Sequence, residues 1–301
     1  LNDISSDVAK QRRQRLIGIA LMCATVACFA CLDTTAKYLG GHMSVLQVVW
    51  ARYTSAFVVA LFVYNPVSHP HLLRTRQPWL QFGRGWMLIG STLLNFLALR
   101  WLQLDEALSI VFATPFLVSI LSGPMLNEWI GWRRWIAVLV GFGGVLLVTR
   151  PGFGGMHPAA FISVAAAVCY AFYAIMTRLA ARTDSNETSL FYGNLLGAVV
   201  MLPIVPFVWT TPESWFITAL MVATGILGSL GHFMLIAGHR LAPASLLSPF
   251  IYTQLIWVIT LGYLVFGQTP TGWTLAGAAV VITSGLYVLY RERVVRGGED
   301  A

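Results

Sequence analysis

The chain has 301 residues, 57% of them hydrophobic and only 10% charged, with a mean hydropathy of +0.72. A soluble chain of this length carries roughly 25% charged residues to wet its surface, so a soluble globular protein is excluded in favour of one solvated by lipid. The formal net charge is +7, but the Lys and Arg residues form no stripe interleaved with aromatics. They sit between apolar runs, which points to membrane topology and away from nucleic acid.

The opening segment, 1–15, is polar and basic, and no cleavable signal peptide is evident in it. Beyond it the apolar runs predict helices over 16–37, 45–64, 84–102, 107–127, 133–150, 158–178, 188–208, 215–238, 241–266 and 271–290. Each approaches the roughly 20 apolar residues that a helix needs to cross a bilayer. Barrel strands of about ten alternating residues do not fit runs this long and continuous. The expected fold is therefore an all-α membrane protein of about ten transmembrane helices. The fifth run is short and flanked by Arg133, Arg134 and Arg150, and the seventh is interrupted by Asn194, Pro203 and Pro206.

Orientation follows from the basic residues in the connections. One side collects Lys10, Arg12, Arg13, Arg15, Arg74, Arg76, Arg84, Arg133, Arg134, Arg178, Arg182, Arg240, Arg291, Arg293 and Arg296. The other holds Lys37, Arg100 and Arg150, while Arg52 falls inside a run. Both termini are expected in the cytoplasm, with the chain in a bacterial inner membrane.

The two halves repeat. Cys28-Phe29-Ala30 and Lys37 reappear as Cys169-Tyr170-Ala171 and Arg178 at an offset of 141. Leu102, Leu108 and Ser109 match Leu241, Leu247 and Ser248 at 139. Gly131-Trp132 and Gly144 match Gly272-Trp273 and Gly285 at 141. A repeat of five helices enters the membrane from alternate faces in its two copies, which is an inverted-topology repeat of the kind secondary transporters use. The expected division is a cytoplasmic segment 1–15, a first repeat 16–150, a second repeat 158–290 and a cytoplasmic tail 291–301.

Over residues 16–290 the sequence resembles the EamA-like permeases of the drug/metabolite transporter superfamily. The resemblance rests on the paired five-helix halves and on Trp50-Ala51-Arg52 in the second helix. It also rests on the fourth helix ending in Asn127-Glu128-Trp129, and on the glycine-rich fifth and tenth helices (Gly141-Phe142-Gly143-Gly144; Gly277 to Gly285). The second half departs from the pattern, with Gly267-Gln268-Thr269 opposite Glu128 and Asn194 near the place of Arg52. Within the superfamily the chain looks most like the aromatic amino-acid exporters. That resemblance implies export of small metabolites, amino acids and above all aromatic ones, by alternating access; a multidrug or other metabolite carrier of the same fold is the alternative.

Ionisable and amide groups inside spans are functional candidates, because isolated burial is costly. Asp33 and Lys37 share a helix face, as an ion pair or as an outer gate. Arg52 is either a carboxylate clamp or a structural arginine paired with Asp33. Asn95, Asn194, His232 and Gln254 are interhelical hydrogen-bond donors or cavity groups. Asp105-Glu106 caps a helix start. Pro115, Pro243 and Pro249 mark kinks or hinges in the fourth and ninth helices. The rows Gly193/Gly197 and Gly225/Gly228/Gly231 permit close packing, and Trp79, Trp129, Trp132 and Trp215 form an interfacial belt. A central cavity is expected between the halves, lined by the first, third, fourth, sixth, eighth and ninth helices. Asn95, Tyr170, Tyr173, His232, Tyr252 and Gln254 are the expected substrate contacts.

Other functions fit less well. Cys23, Cys28, Cys31 and Cys169 fall in apolar runs without metal-site spacing, so neither a metal nor a cofactor is expected. No Walker sequence is present to support ATP-driven transport. Ser229 and His232 share a helix face as a nucleophile and base would, but no orienting carboxylate accompanies them, so an intramembrane enzyme is disfavoured. The expected partners are a small-molecule substrate and membrane lipid, with a monomer as the simplest assembly. Reporter fusions after Arg74 and Arg182 should read cytoplasmic and one after Gly155 periplasmic; a periplasmic signal at Arg182 would overturn the two-repeat topology.

Overall fold

A computed structural model describes residues 2–63, 70–127, 132–150, 157–242 and 247–299. The sequence features at Glu128, Trp129, Gly131 and Pro243 lie outside the described residues. The chain runs through α1 (Asn2–Leu39), α2 (Val45–Val63), a 3-10 turn (Pro70–Leu73), α3 (Pro78–Ala98), α4 (Leu104–Val111), α5 (Thr114–Leu126) and α6 (Trp132–Thr149). It continues through α7 (Ala159–Ala180), α8 (Asn186–Met201), α9 (Val205–Val208), α10 (Trp215–Leu241), a second 3-10 turn (Ser248–Thr253), α11 (Gln254–Phe266) and α12 (Gly272–Glu299). Among the described residues, five segments are by themselves long and apolar enough to cross a membrane: Arg12–Leu39, Val45–Val63, Leu104–Leu126, Ala159–Ala180 and Trp215–Leu241. With each broken helix counted as one span, the described elements group into ten.

Proline places the breaks. The runs 107–127 and 188–208 read as single helices in the sequence, but each is divided. α4 stops at Val111 and α5 restarts with Pro115 in its first turn, while α8 stops at Met201 before Pro203 and α9 carries Pro206. A proline has no N–H for the preceding turn, and its ring crowds the carbonyl there. The ninth span breaks likewise, with Pro249 opening the 3-10 turn ahead of α11. α5 and α11 then end alike. Asn127 (φ 59°) and Gly267 (φ 65°) close them in the left-handed conformation, which Gly and Asn adopt at helix ends.

The third span starts earlier than the hydropathy predicts. Pro78 sits in the first turn of α3, where a fixed φ favours helix and a missing N–H costs nothing. Arg84, counted above among the connecting residues, consequently falls inside the span. Glu106 accepts from the Gln103 backbone N–H at 3.1 Å, so it caps α4 as expected.

The halves are interleaved. α1 packs on α10 of the second half, and its counterpart α7 packs on α3 of the first. α2 packs on α10 as α8 packs on α3. α2 with α8, and α6 with α12, pack on their own counterparts and so lie at the axis relating the halves. Equivalent junctions recur at the two ends of the bundle. On the face holding both termini, the loop after α7 reaches the segment before α3: Asp184 accepts from Thr75 Oγ1, from the Arg76 backbone N–H at 3.0 Å and from Gln81 Nε2 at 2.9 Å. On the opposite face, the loop after α1 reaches the segment before α10, with His42 3.7 Å from Glu213. There Gln47 at the head of α2 exchanges two 2.8 Å hydrogen bonds with the backbone of Thr210.

Glycine permits the closest crossings. A Cβ on Gly225 of α10 would overlap the Ser55 hydroxyl and the Ala56 backbone nitrogen of α2, and one on Gly197 of α8 would overlap the Tyr53 ring. A backbone atom cannot swing aside as a side chain can. Gly225→Ala should therefore destabilise the purified protein by about 1–3 kcal/mol of overpacking, read as a lower Tm. Gly272→Ala, which meets nothing within 4 Å, should leave it unchanged.

Candidate functional site

Beyond the Gly225 crossing, α2 and α10 enclose a cavity of about 370 Å³ together with α3, α7 and α8. Val59, Ala60 and Val63 line one side, and Ser229, His232 and Phe233 line the other. Arg52, Arg84, Tyr173 and Asn194 supply polar lining, and Leu88, Phe191 and Ile226 supply apolar wall. The cavity lies between the halves, as expected. Its walls are spans two, three, six, seven and eight, however, and not one, four and nine. Burial of the fourth and ninth spans against each other and their neighbours leaves α2 and α8 to face the space.

Two guanidiniums dominate its chemistry. Arg52 donates from Nη1 to Thr92 Oγ1, and its plane lies 5.0 Å from the Tyr53 ring centroid and 5.9 Å from that of Phe96. Thr92 also shares a 2.9 Å hydrogen bond with the Tyr53 hydroxyl. Arg84 is 1% exposed. Its Nε donates to Gln81 Oε1 at 3.1 Å, and its Nη1 to the hydroxyls of Tyr173 at 3.3 Å and Thr177 at 3.4 Å. Its Nη2 donates to the Ser189 carbonyl. Gly193 lies beside this group, with 3.4 Å between a built Cβ and Arg84 Nη2. Nothing in the hydropathy pattern marked Arg84 as buried; the signal available was Pro78 at a helix start followed by Trp79 and Phe82.

The other expected site residues divide by depth and helix rotation. Tyr173 and His232 line the cavity, and His232 meets Phe29 edge-on at 5.2 Å. Tyr170 lies beside Tyr173, with ring centroids 5.6 Å apart, outside the lining. Asn95 lies toward the opposite face, where its Nδ2 donates to Asp33 at 3.1 Å. Lys37 does not pair with Asp33. Its ammonium donates to the carbonyls of Leu99, at 2.6 Å, and Leu102, where a cation complements the C-terminal dipole of α3. Asp33 and Arg52 make no direct salt bridge, although they lie within electrostatic reach of each other; the carboxylate's hydrogen bond comes from Asn95. Tyr252 packs edge-on against Phe112 at 5.1 Å with its hydroxyl against Gly285, and Gln254 is buried at the head of α11. Both lie away from this cavity. Among the described residues Ser229 Oγ has no hydrogen-bond partner, and no bond joins it to His232 as a nucleophile–base pair would require.

A multi-span helical bundle with two interleaved inverted halves and a mixed polar cavity between them is the architecture of a secondary transporter. The chain belongs to the EamA-like transporter family, whose model matches residues 16–150 and 157–291. It is therefore a transporter and not an enzyme. It is 30% identical over 280 residues to a Rickettsia felis protein named S-adenosylmethionine uptake transporter, covering 92% of this chain and 94% of that one. It is 26% identical over 276 residues to a Vibrio cholerae riboflavin transporter, covering 91% and 93%. A solved crystal structure aligns with a TM-score of 0.63 at 18% identity over 94% of this chain and 99% of the other; at that identity the likeness concerns the fold alone. None of these relatives is named for amino-acid export.

Asp184 supplies a pH test of the junction at the terminal face. Partial burial raises its carboxyl, but the hydrogen bonds from Gln81, Thr75 and the Arg76 backbone outweigh that and hold it below the usual 3.8. A depressed carboxylate adds stability that is present above its unfolded value and lost as pH falls through the folded one. Acidification below about pH 4 should thus lower the hydrogen-exchange protection factors of the Thr75–Gln77 amides, measured against the intrinsic rate at each pH. Asp184→Asn should show the lowered protection already at neutral pH and little further change with acid.

Proposed function

We propose that this chain carries a small, ring-bearing organic metabolite across a bacterial inner membrane by alternating access through the cavity between its halves, with both termini in the cytoplasm. The carrying observation is the composition of that cavity. Arg52 and Leu88 of the first repeat face Tyr173, Asn194 and His232 of the second, so any motion of one half against the other reshapes the site. The matched junctions at the two faces support alternation, since each ties one end of the bundle with loops that are equivalent in the two repeats. The positive-inside distribution supports the orientation.

Substrate class follows from the walls and the relatives together. The volume falls at the lower end of the roughly 300–1,000 Å³ range of drug-sized ligands. Leu88, Phe191, Ile226 and Phe233 offer apolar surface to a planar ring. S-adenosylmethionine and riboflavin, named for two relatives, both contain one. The aromatic amino acids share the ring but have no counterpart among those names, so a metabolite carrier is the better-supported reading. Tyr173, His232 and Arg52 are the proposed contacts; Asn95, Tyr170, Tyr252 and Gln254 are left to supporting roles.

In proteoliposomes, saturable flux is expected for S-adenosylmethionine or riboflavin and not for phenylalanine. Tyr173→Ala and His232→Ala should reduce it about ten-fold or more, the loss of one to two hydrogen bonds or ring contacts, while Gln254→Ala should stay near the parent. Parental flux in both cavity variants would place the route elsewhere.

A further inference from the structure

We infer that Arg84 is the anion-binding group of the cavity and that the substrate presents a single carboxylate to it, an inference that rests on the transport reading above. Arg84 is a fully buried cation whose partners, among the described residues, are all neutral: an amide oxygen, two hydroxyls and a backbone carbonyl. These engage four of its five N–H donors, leaving one on Nη2 for a solute, and they leave its charge unbalanced; a buried unbalanced charge is expensive. Asp184 reaches it only through Gln81, which donates to the carboxylate from Nε2 and accepts from Arg84 at Oε1.

Arg52 stands differently. Asp33 lies within its electrostatic reach, and two aromatic rings face its guanidinium. Among the described residues, no Asp or Glu lines the cavity. One unmatched positive charge therefore remains, and it calls for one negative charge from the solute. A carboxylate fits the planar guanidinium fork and forms short, charge-assisted hydrogen bonds to it; a doubly charged phosphate monoester would leave an excess of negative charge in the same space. The Ser229 hydroxyl, buried and without a partner, lines the same cavity and offers a second polar contact. The apolar wall then takes the ring.

The test compares binding of matched acids and carboxylate-free analogues to the protein in lipid nanodiscs. The pairs are S-adenosylmethionine with decarboxylated S-adenosylmethionine, and tryptophan with tryptophanamide; riboflavin serves as a ring compound without a carboxylate. In the parent, the acid of at least one pair should bind about ten- to hundred-fold more tightly than its analogue. In R84Q that ratio should fall to near one, and in R84K it should fall part-way, since charge is kept and the fork lost. Because the ratio is taken within each variant, partial loss of folded protein does not affect it. Equal binding of acid and analogue by the parent, or a parental ratio in R84Q, would overturn the assignment even if neither variant altered the fold. Binding of riboflavin alone would overturn it too while leaving the transport reading intact. Binding of none of the five compounds would overturn the ring-bearing substrate reading, and this assignment with it.

Discussion

A guanidinium buried without a counter-charge is the constraint around which this bundle is organised. Removing such an ion from water costs several kcal/mol even after local relaxation, so the donors on Arg84 must be engaged by the protein or by a solute. Its partners come from three helices: Gln81 from its own α3, Tyr173 and Thr177 from α7, and Ser189 from α8. The charge thereby fixes the register of the second repeat's first two helices against the first repeat's third.

The space next to that charge is a consequence of how tightly the helices cross above it. Gly197 and Gly225 bring α8 and α10 against the backbone and ring of α2 at Tyr53, Ser55 and Ala56. Away from this contact the side chains are longer and the helices separate, leaving the cavity. Toward the opposite face the interior is filled by Arg52 with Thr92, Asp33 with Asn95, and Lys37 on the end of α3. Polar side chains thus run through the depth of the bundle, and the part beside Arg84 is open.

The fold was legible because a bilayer demands long apolar runs and segregates basic loops, and both constraints are written one-dimensionally along the chain. The five-helix repeat was legible for the same reason, through matches such as Cys28-Phe29-Ala30 with Cys169-Tyr170-Ala171. The site was legible only in part. Arg52, Tyr173 and His232 were recognisable as polar groups at depth, but which way a helix turns is set by its neighbours. Hydropathy alone therefore does not separate Tyr173, on the cavity, from Tyr252, wedged against Phe112 and Gly285. Arg84 escaped because the run that flags its helix begins at that residue, whereas the helix itself begins at Pro78. The Asp33–Lys37 spacing suggested a pair, yet the free carbonyls at the end of α3 held the ammonium more closely.

The most direct measurement is a structure of the protein with its transported substrate bound. The account predicts solute density between Arg84, Tyr173 and His232, with an anionic group within hydrogen-bonding distance of the Arg84 guanidinium and a ring against Leu88 and Phe191. Density beside Tyr252 and Gln254, with the space at Arg84 filled by water or lipid, would contradict it.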